Sequence, residues 1–291
     1  MTILACDIGG THLRVALCDL SGNILLKQVV RSDDGDPEAL PRHMRAVIDS
    51  AGVPVSGAVV GLPGSINYQT GEVIHLPHLP RWPRTVSADW LSQQVELEVL
   101  VANDADLAAL GEHRFGAGIG SIDMVYITAS TGVGAGVIVG KKLLHGKLSL
   151  AEAGHTIIDF VGMRTFEELG SGTALQRLAG DEGPNVTAKA HEGDPEAIRQ
   201  IREVAYALGV GALNLAHIFS PELIVIGGGL SRASDILLEP IRQVLREEGG
   251  FFPASQVRVV KALNGDDAGL KGAVAYWIDR RNLGKQQVNM S

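Results

Sequence analysis

The chain has 291 residues, 45% of them hydrophobic, and a formal net charge of −8. That length supplies one large domain or two ordinary ones with ample core, and an acidic balance without any Lys/Arg run excludes an extended nucleic-acid surface. Only Cys6 and Cys18 occur, so a disulfide framework is excluded and a reducing cytoplasm is the expected location.

The start shows no basic segment leading into an apolar one, so no secretion signal is expected. The longest uncharged stretch, Met124 to Gly140, is too short and too rich in Gly, Ser and Thr to span a membrane. Ile3 to Ala5 opens a strand that runs into Asp7, Gly9 and Gly10. After the glycines, Leu13, Val15 and Leu17 fall on one face and His12, Arg14, Ala16 and Cys18 on the other, which is strand periodicity. The glycines therefore sit in a strand–turn–strand. A dinucleotide fingerprint or a P-loop would feed them into a helix. Ile24 to Val30 reads as a third strand, and Pro37 to Ser50 as a helix with Asp36 as its N-cap. Gly57 to Leu62 is a short buried strand. A turn at Gly71 separates Ser65–Tyr68 from Glu72–His75, and prolines open the loop from Leu76 to Pro83. Ser87 to Val95 is helical, Val99 to Ala102 a strand, and Asp104 to Phe115 a helix. This order predicts an α/β fold, a mixed sheet with helices on its faces.

Gly116 to Gly120 is the best linker. Beyond it, Met124 to Thr128, the turn Ser130 to Gly134, and Gly136 to Val139 repeat the opening strand–glycine turn–strand, which hints at two similar halves. Helices are expected over Thr165–Ala179, Asn185–His191, Asp194 to about Phe219, and Ile236–Glu248. Leu223 to Ile226 and Val257 to Ala262 are strands. Asp266 and Asp267 cap a last helix to about Arg280, and the tail from Gly284 is polar and frayed.

Five stretches carry chemistry. Gly9 and Gly10 let backbone N–H groups approach a phosphate, with Thr11 adding a hydroxyl, Arg14 a positive charge and Asp7 a carboxylate suited to a hydrated Mg²⁺. An ordinary Gly-Gly hairpin has the same pattern. Gly61 to Ser65 and the proline loop form the second stretch. Asn103-Asp104 is the third: Asp104 reads either as a helix N-cap or as a catalytic carboxylate at the C-terminal end of a strand. Ser130 to Gly134 is the fourth. The fifth, Glu152-Ala153-Gly154-His155 followed by Glu167 and Ser171-Gly172, gathers carboxylates and an imidazole for a hydroxyl-rich ligand.

In this order and spacing the stretches resemble a ROK-family sugar kinase, a branch of the actin/hexokinase ATPase superfamily, over nearly the whole chain. Asp7-Ile8-Gly9-Gly10-Thr11 and Ser130-Thr131-Gly132-Val133-Gly134 resemble the two phosphate motifs. Gly61 to Gly64 and Leu79-Pro80-Arg81-Trp82 resemble the sugar loop, and Asn103-Asp104-Ala105 the catalytic motif. Glu152-Ala153-Gly154-His155 resembles Glu-x-Gly-His. Ile226-Gly227-Gly228-Gly229 resembles the adenosine motif, and Asp267-Ala268-Gly269-Leu270 a C-terminal signature. The resemblance implies a two-lobed, actin-like (ribonuclease H-like) α/β fold with a cleft between lobes: residues 1–115 with about 276–291 in the smaller, 116–275 in the larger. It implies Asp104 as general base, and Gly64, Ser65, His78, Asn103, Glu152, His155 and Glu167 around the sugar. Asp7, Gly9, Gly10, Thr11, Arg14, Thr131, Gly132, Gly228 and Gly229 would serve Mg²⁺·ATP. The implied reaction moves the γ-phosphate of ATP to a hydroxyl, O6 by default, of a hexose or N-acetylhexosamine. Glucose is the default and N-acetylmannosamine the first alternative. A sugar-responsive regulator is the rival class, and it needs a helix-turn-helix before the first strand. A homodimer binding neither nucleic acid nor membrane is implied too.

The chain departs from the family in two places. Many members carry a zinc motif, roughly Cys-x-Cys-Gly-x-x-Gly-Cys, after Gly-His. Here residues 155–165 hold no cysteine, with Thr165 where the last would stand, so no zinc is expected. Without the metal, that stretch is expected to be held by packing of Ile157, Ile158, Phe160, Val161 and Met163. His78 stands where the family often has Asn, which bears on recognition of one ring hydroxyl.

Overall fold

The structure, a computed structural model, describes residues 1–9, 11–32, 36–76, 82, 86–148, 152–180, 185–250 and 253–288. The chain forms two compact units. One comprises Met1–Phe115, His145–Leu150 and Asp267–Ser291, the other Gly116–Leu144 and Ala151–Asp266.

The first unit contains β1 (Thr2–Ile8), β2 (His12–Asp19), β3 (Ile24–Arg31), α1 (Ala39–Ser50), β4 (Val55–Leu62), β5 (Ser65–Asn67), β6 (Glu72–His75), α2 (Ala88–Val95), β7 (Val99–Asn103) and α3 (Asp104–Phe115). Its main sheet has the order β3-β2-β1-β4-β7. Antiparallel pairing joins the first three strands, and parallel pairing adds β4 and β7. The second unit contains β8 (Met124–Ala129), β9 (Val133–Val139), β10 (Lys142–Leu143), β11 (Ile157–Asp159), β12 (Arg164–Thr165), α4 (Phe166–Gly170), α5 (Gly172–Ala179), α6 (Val186–His191), α7 (Pro195–Phe219), β13 (Leu223–Gly227), α8 (Asp235–Glu248) and β14 (Arg258–Lys261). Its sheet runs β10-β9-β8-β13-β14, again three antiparallel strands followed by two parallel ones. The faint internal repeat of the sequence is thus a repeat of topology. The central strands read as nearly continuous apolar runs, such as Leu223–Ile226, because helices cover both faces of a parallel pair.

The last helix, α9 (Ala268–Val288), belongs to the first unit and packs along α3. Two glycines permit this: a β-carbon at Gly272 would collide with the carbonyl of Leu107, and one at Gly111 with the carbonyl of Ala268. Trp277 and Val274 from α9 are then fully buried.

Three local expectations change. Helix α1 begins at Ala39 with Glu38 at the cap position. Asp36 instead accepts from the Glu38 N–H at 3.0 Å and pairs with Arg42. The single helix expected over Thr165–Ala179 is two, α4 and α5. Ser171 adopts extended backbone between them and caps α5 by accepting from the Ala174 N–H at 3.1 Å. The last helix, expected to end near Arg280, runs to Val288.

Adding a methyl at the α3–α9 crossing overfills a contact between backbones. Gly272→Ala is expected to destabilise the protein by about 2–3 kcal/mol, read as a lowered urea midpoint with an unchanged m-value.

Candidate active site

The junction of β7 and α3 is built around one amide side chain. Asn103 Oδ1 accepts from the N–H groups of Ala105 (2.9 Å) and Asp106 (3.1 Å), so Asn103 is the N-cap of α3. Its Nδ2 donates to the carbonyl of Gly64 at 3.0 Å, and its backbone N–H donates to the Tyr68 hydroxyl at 3.0 Å. That hydroxyl donates to Asp106 Oδ2 at 2.5 Å. Gly64 has φ of +114°, a turn conformation that suits glycine and aims its carbonyl at Asn103. Asn103 and Gly64, both expected around the sugar, are thus brought together. Ser65, the first residue of β5, follows directly. The N-cap that sequence pattern offered to Asp104 falls to Asn103.

Asp104 is thereby available for chemistry. Burial, then the negative charges of Asp7 and Asp106, push its carboxyl up to about 7, against the stabilising Ala105 N–H at 2.9 Å. A carboxylate in this range ionises near neutrality and can take a proton from a hydroxyl. Asp7, next to last in β1, pairs with Arg14 across the β1–β2 register at 3.3 Å. Between them the chain turns at Gly9, whose N–H donates to the His12 carbonyl at 2.9 Å and whose carbonyl accepts from Ser32 Oγ at 2.7 Å. Thr11 is exposed in this turn. Gly10 and His78 lie outside the described residues. The first turn of α9 also stands beside Asp7, where a β-carbon at Gly269 would come within 3.2 Å of Asp7 Cγ. The C-terminal signature therefore lies against the acidic end of β1.

The second unit repeats the glycine turn between β8 and β9. Thr131 is exposed in it, and the Ser130 N–H donates to the Gly132 carbonyl at 2.9 Å. The Gly172 N–H donates to the Ser130 carbonyl at 2.6 Å and Thr173 Oγ1 to the Thr131 carbonyl at 2.7 Å, so the start of α5 holds the turn. Glu167 from α4 accepts the Val133 N–H on Oε2 at 2.9 Å. In the Glu152–His155 segment Ala153 and Gly154 are buried, while the side chains of Glu152 and His155 are exposed, 3.9 Å apart. At the end of β13, Gly228 lies against the backbone of Ala129, and Gly229 beside it faces open space. Sequence reasoning missed Tyr68, Asp106 and Thr173. Their partners lie far along the chain, and no local pattern marks them.

The segment lacking the zinc motif is a hairpin of β11 and β12, held differently from expectation. Of the five apolar residues expected to pack, Ile158 lies against the core, but Phe160, Val161 and Met163 are 84%, 82% and 66% exposed, so apolar packing does not hold the tip. Asp159 does. Its Oδ1 accepts from the N–H groups of Val161 (3.2 Å) and Gly162 (3.1 Å), and its Oδ2 from Arg164 Nε at 2.7 Å. A tip this short has no second layer to pack against, whereas one carboxylate can collect three donors.

The ROK family pattern matches residues 3–280. The chain belongs to the ROK family. It is 32% identical over 303 residues to a glucokinase of Streptomyces coelicolor, covering 92% of this chain and 94% of that one. A ROK glucokinase from Streptomyces griseus, solved with glucose and AMPPNP, superposes with a TM-score of 0.80 at 31% identity, covering 94% of this chain and 98% of that one. A β-glucoside kinase of Listeria monocytogenes is 26% identical over 301 residues, covering 97% and 99%. This ROK chain is a sugar kinase of the actin-like α/β class, and no helix among its described residues is long and apolar enough to cross a membrane.

Three variants test the local physics of this ROK protein. Asp104 has a folded pKa near 7 against an ordinary 3.8, so the folded state binds the extra proton between those values and loses stability as pH rises through them. Asp104→Asn removes that loss. Its melting temperature is expected to exceed the wild type's by a margin that grows from about pH 4 to pH 7 and then levels off, in ligand-free thermal scans. At the hairpin, Phe160→Ser is expected to leave stability within about 0.5 kcal/mol of wild type, whereas Asp159→Ala is expected to lower the midpoint of a denaturant titration measurably.

Proposed function

We propose that this sugar kinase transfers the γ-phosphate of ATP to the 6-hydroxyl of a hexose, with glucose as the default substrate and Asp104 as general base. The observation that carries the assignment is the carboxyl of Asp104. It is freed from capping by Asn103, set at the strand–helix junction and raised to about 7 by burial and by Asp7 and Asp106. The similarity to glucokinases supports the choice of sugar class.

A sugar hydroxyl is a weak nucleophile at neutral pH. Asp104 takes its proton as the oxygen bonds to the γ-phosphorus; the bond to the β-γ bridging oxygen breaks, and ADP leaves. A positioned base supplies roughly 10²–10⁴-fold, and alignment of hydroxyl with phosphate supplies much of the rest. Backbone N–H groups around Gly9 and around Thr131-Gly132, with Thr11, are assigned to the phosphates, and Gly228 and Gly229 to the adenosine. Glu152, His155, Glu167, Asn103, Gly64 and Ser65 are assigned to the ring hydroxyls. The exposed Glu152 and His155 are free to donate and accept there.

Mg²⁺ fits the donor set. Asp7 offers hard carboxylate oxygens at the end of β1, and such an ion is ordinarily held by one or two carboxylates plus substrate phosphates. When bound it neutralises charge that builds on the transferred phosphate. Asp7 would hold it, with Arg14 balancing the same carboxylate. The absence of cysteine from residues 155–165, and the Asp159-centred hairpin there, support a zinc-free enzyme. The same reading makes it a cytoplasmic homodimer that does not act on DNA, supported by its acidic net charge.

An ATP-consumption assay over glucose, N-acetylmannosamine, mannose, fructose, allose and a β-glucoside tests the substrate. Turnover is expected to be fastest with glucose, and no turnover with any sugar would end the kinase reading. Asp104→Asn is expected to lower kcat at least ~100-fold while sugar still binds by calorimetry; near-normal kcat would remove Asp104 from the role of base.

A further inference from the structure

Glu167 touches more than a sugar ligand needs to. Its Oε2 accepts the Val133 N–H at 2.9 Å, just past the second glycine turn. Gly132 has no room for a β-carbon, which would collide with that same oxygen, and the Glu167 carboxyl carbon would stand 3.0 Å away. On the other side Gly154 is wedged against the Val133 carbonyl, and a β-carbon there would come within 3.4 Å of Glu167 Cβ. Glu167 is thus packed between the turn at Thr131-Gly132 and the segment that carries Glu152 and His155. Its helix is fixed at the root. Thr165 and Glu168 form a reciprocal capping box, with Thr165 Oγ1 accepting from the Glu168 N–H at 3.1 Å and Glu168 Oε2 from the Thr165 N–H at 2.7 Å. Where α4 ends, Gly172 and Thr173 grip the Ser130 and Thr131 carbonyls. The turn is held on one side by a carboxylate and on the other by the start of α5.

We propose that Glu167 is a positioning residue for the nucleotide-phosphate turn, so that a sugar hydroxyl on its carboxylate and a phosphate on Thr131-Gly132 bind cooperatively. The proposal rests on the kinase reading above. A carboxylate has about four acceptor sites, and Val133 uses one, which leaves acceptor capacity for a hydroxyl. A sugar that orders the carboxylate also orders the Val133 N–H bound to it, and the nucleotide then meets a turn already fixed. Linkage makes the effect mutual: nucleotide on the turn tightens sugar by the same factor.

Two measurements test the link. In Mg²⁺ buffer without any sugar, Glu167→Ala is expected to bind AMPPNP about tenfold more weakly than wild type in calorimetry, the effect of losing one hydrogen bond to a charged acceptor. In the wild type, glucose alone, or the panel sugar turned over fastest, is expected to slow amide exchange across residues 130–134. This second readout needs no variant, so it stands even if Glu167→Ala fails to fold. A residue that only supports the fold would not make exchange there depend on sugar, and one that only binds sugar would not weaken AMPPNP in sugar's absence. Unchanged AMPPNP affinity in Glu167→Ala, or exchange at 130–134 indifferent to a sugar the wild type turns over, overturns the link. Wild-type protein that binds no AMPPNP and turns over no sugar overturns the kinase reading instead.

Discussion

One side-chain amide sets the geometry of the first unit's site. Asn103 spends its oxygen on the first turn of α3 and one N–H on the turn at Gly64. Strand β7, helix α3 and the turn after β4 are therefore locked at one corner. The neighbouring Tyr68 hydroxyl ties the same corner to Asp106. Were Asp104 the cap, its carboxyl would accept backbone N–H groups beyond the one from Ala105 that it already takes, and each would hold it lower. With capping delegated to Asn103, burial and two neighbouring carboxylates set the acidity of Asp104 instead. That environment costs stability, the ordinary exchange between a poised acid–base group and a comfortable fold.

The two units solve the same backbone problem with different means. Each opens with three antiparallel strands and turns tightly after the first. In the first unit the turn is braced by Ser32 on Gly9 and its flank by the Asp7–Arg14 pair. In the second it is braced by Glu167 and by Gly172 and Thr173 from two short helices. Breaking the expected helix at Ser171 creates the second bracket, because a continuous helix would have no free N–H groups at that point to donate. The hairpin after His155 shows the same economy, with Asp159 holding its tip by three hydrogen bonds.

Much of this was legible in the sequence. The periodicity of residues 12–18 showed that the first glycines join two strands, and Asp104 to Phe115 is a helix with the bounds the pattern predicts. The repeat of strand, glycine turn and strand pointed to two like halves, and the sheets share one strand order. Pattern offered the cap at the start of α3 to Asp104, whereas the structure gives it to the adjacent Asn103. Both residue types cap well, and the choice is made by the Gly64 carbonyl, 39 residues away. Apolar composition misled at Phe160, Val161 and Met163, since composition records hydrophobicity but not whether a second layer exists to bury it. The tie between Glu167 and Val133 joins residues 34 apart and leaves no periodic trace.

The discontinuity of the first unit has a consequence in the order of synthesis. Its sheet is encoded by residue 103, and helix α3 by residue 115, yet the helix that buries α3 starts at Ala268. The second unit is encoded almost entirely before that helix emerges. The nascent chain can therefore finish its second unit while the first still lacks the cover over Leu107 and Gly111. A chain broken off before Ala268 would carry Asp104 on an unburied helix, with Gly269 missing from beside Asp7. The fold thus makes burial of α3 wait on the synthesis of α9, through two glycines at a helix crossing.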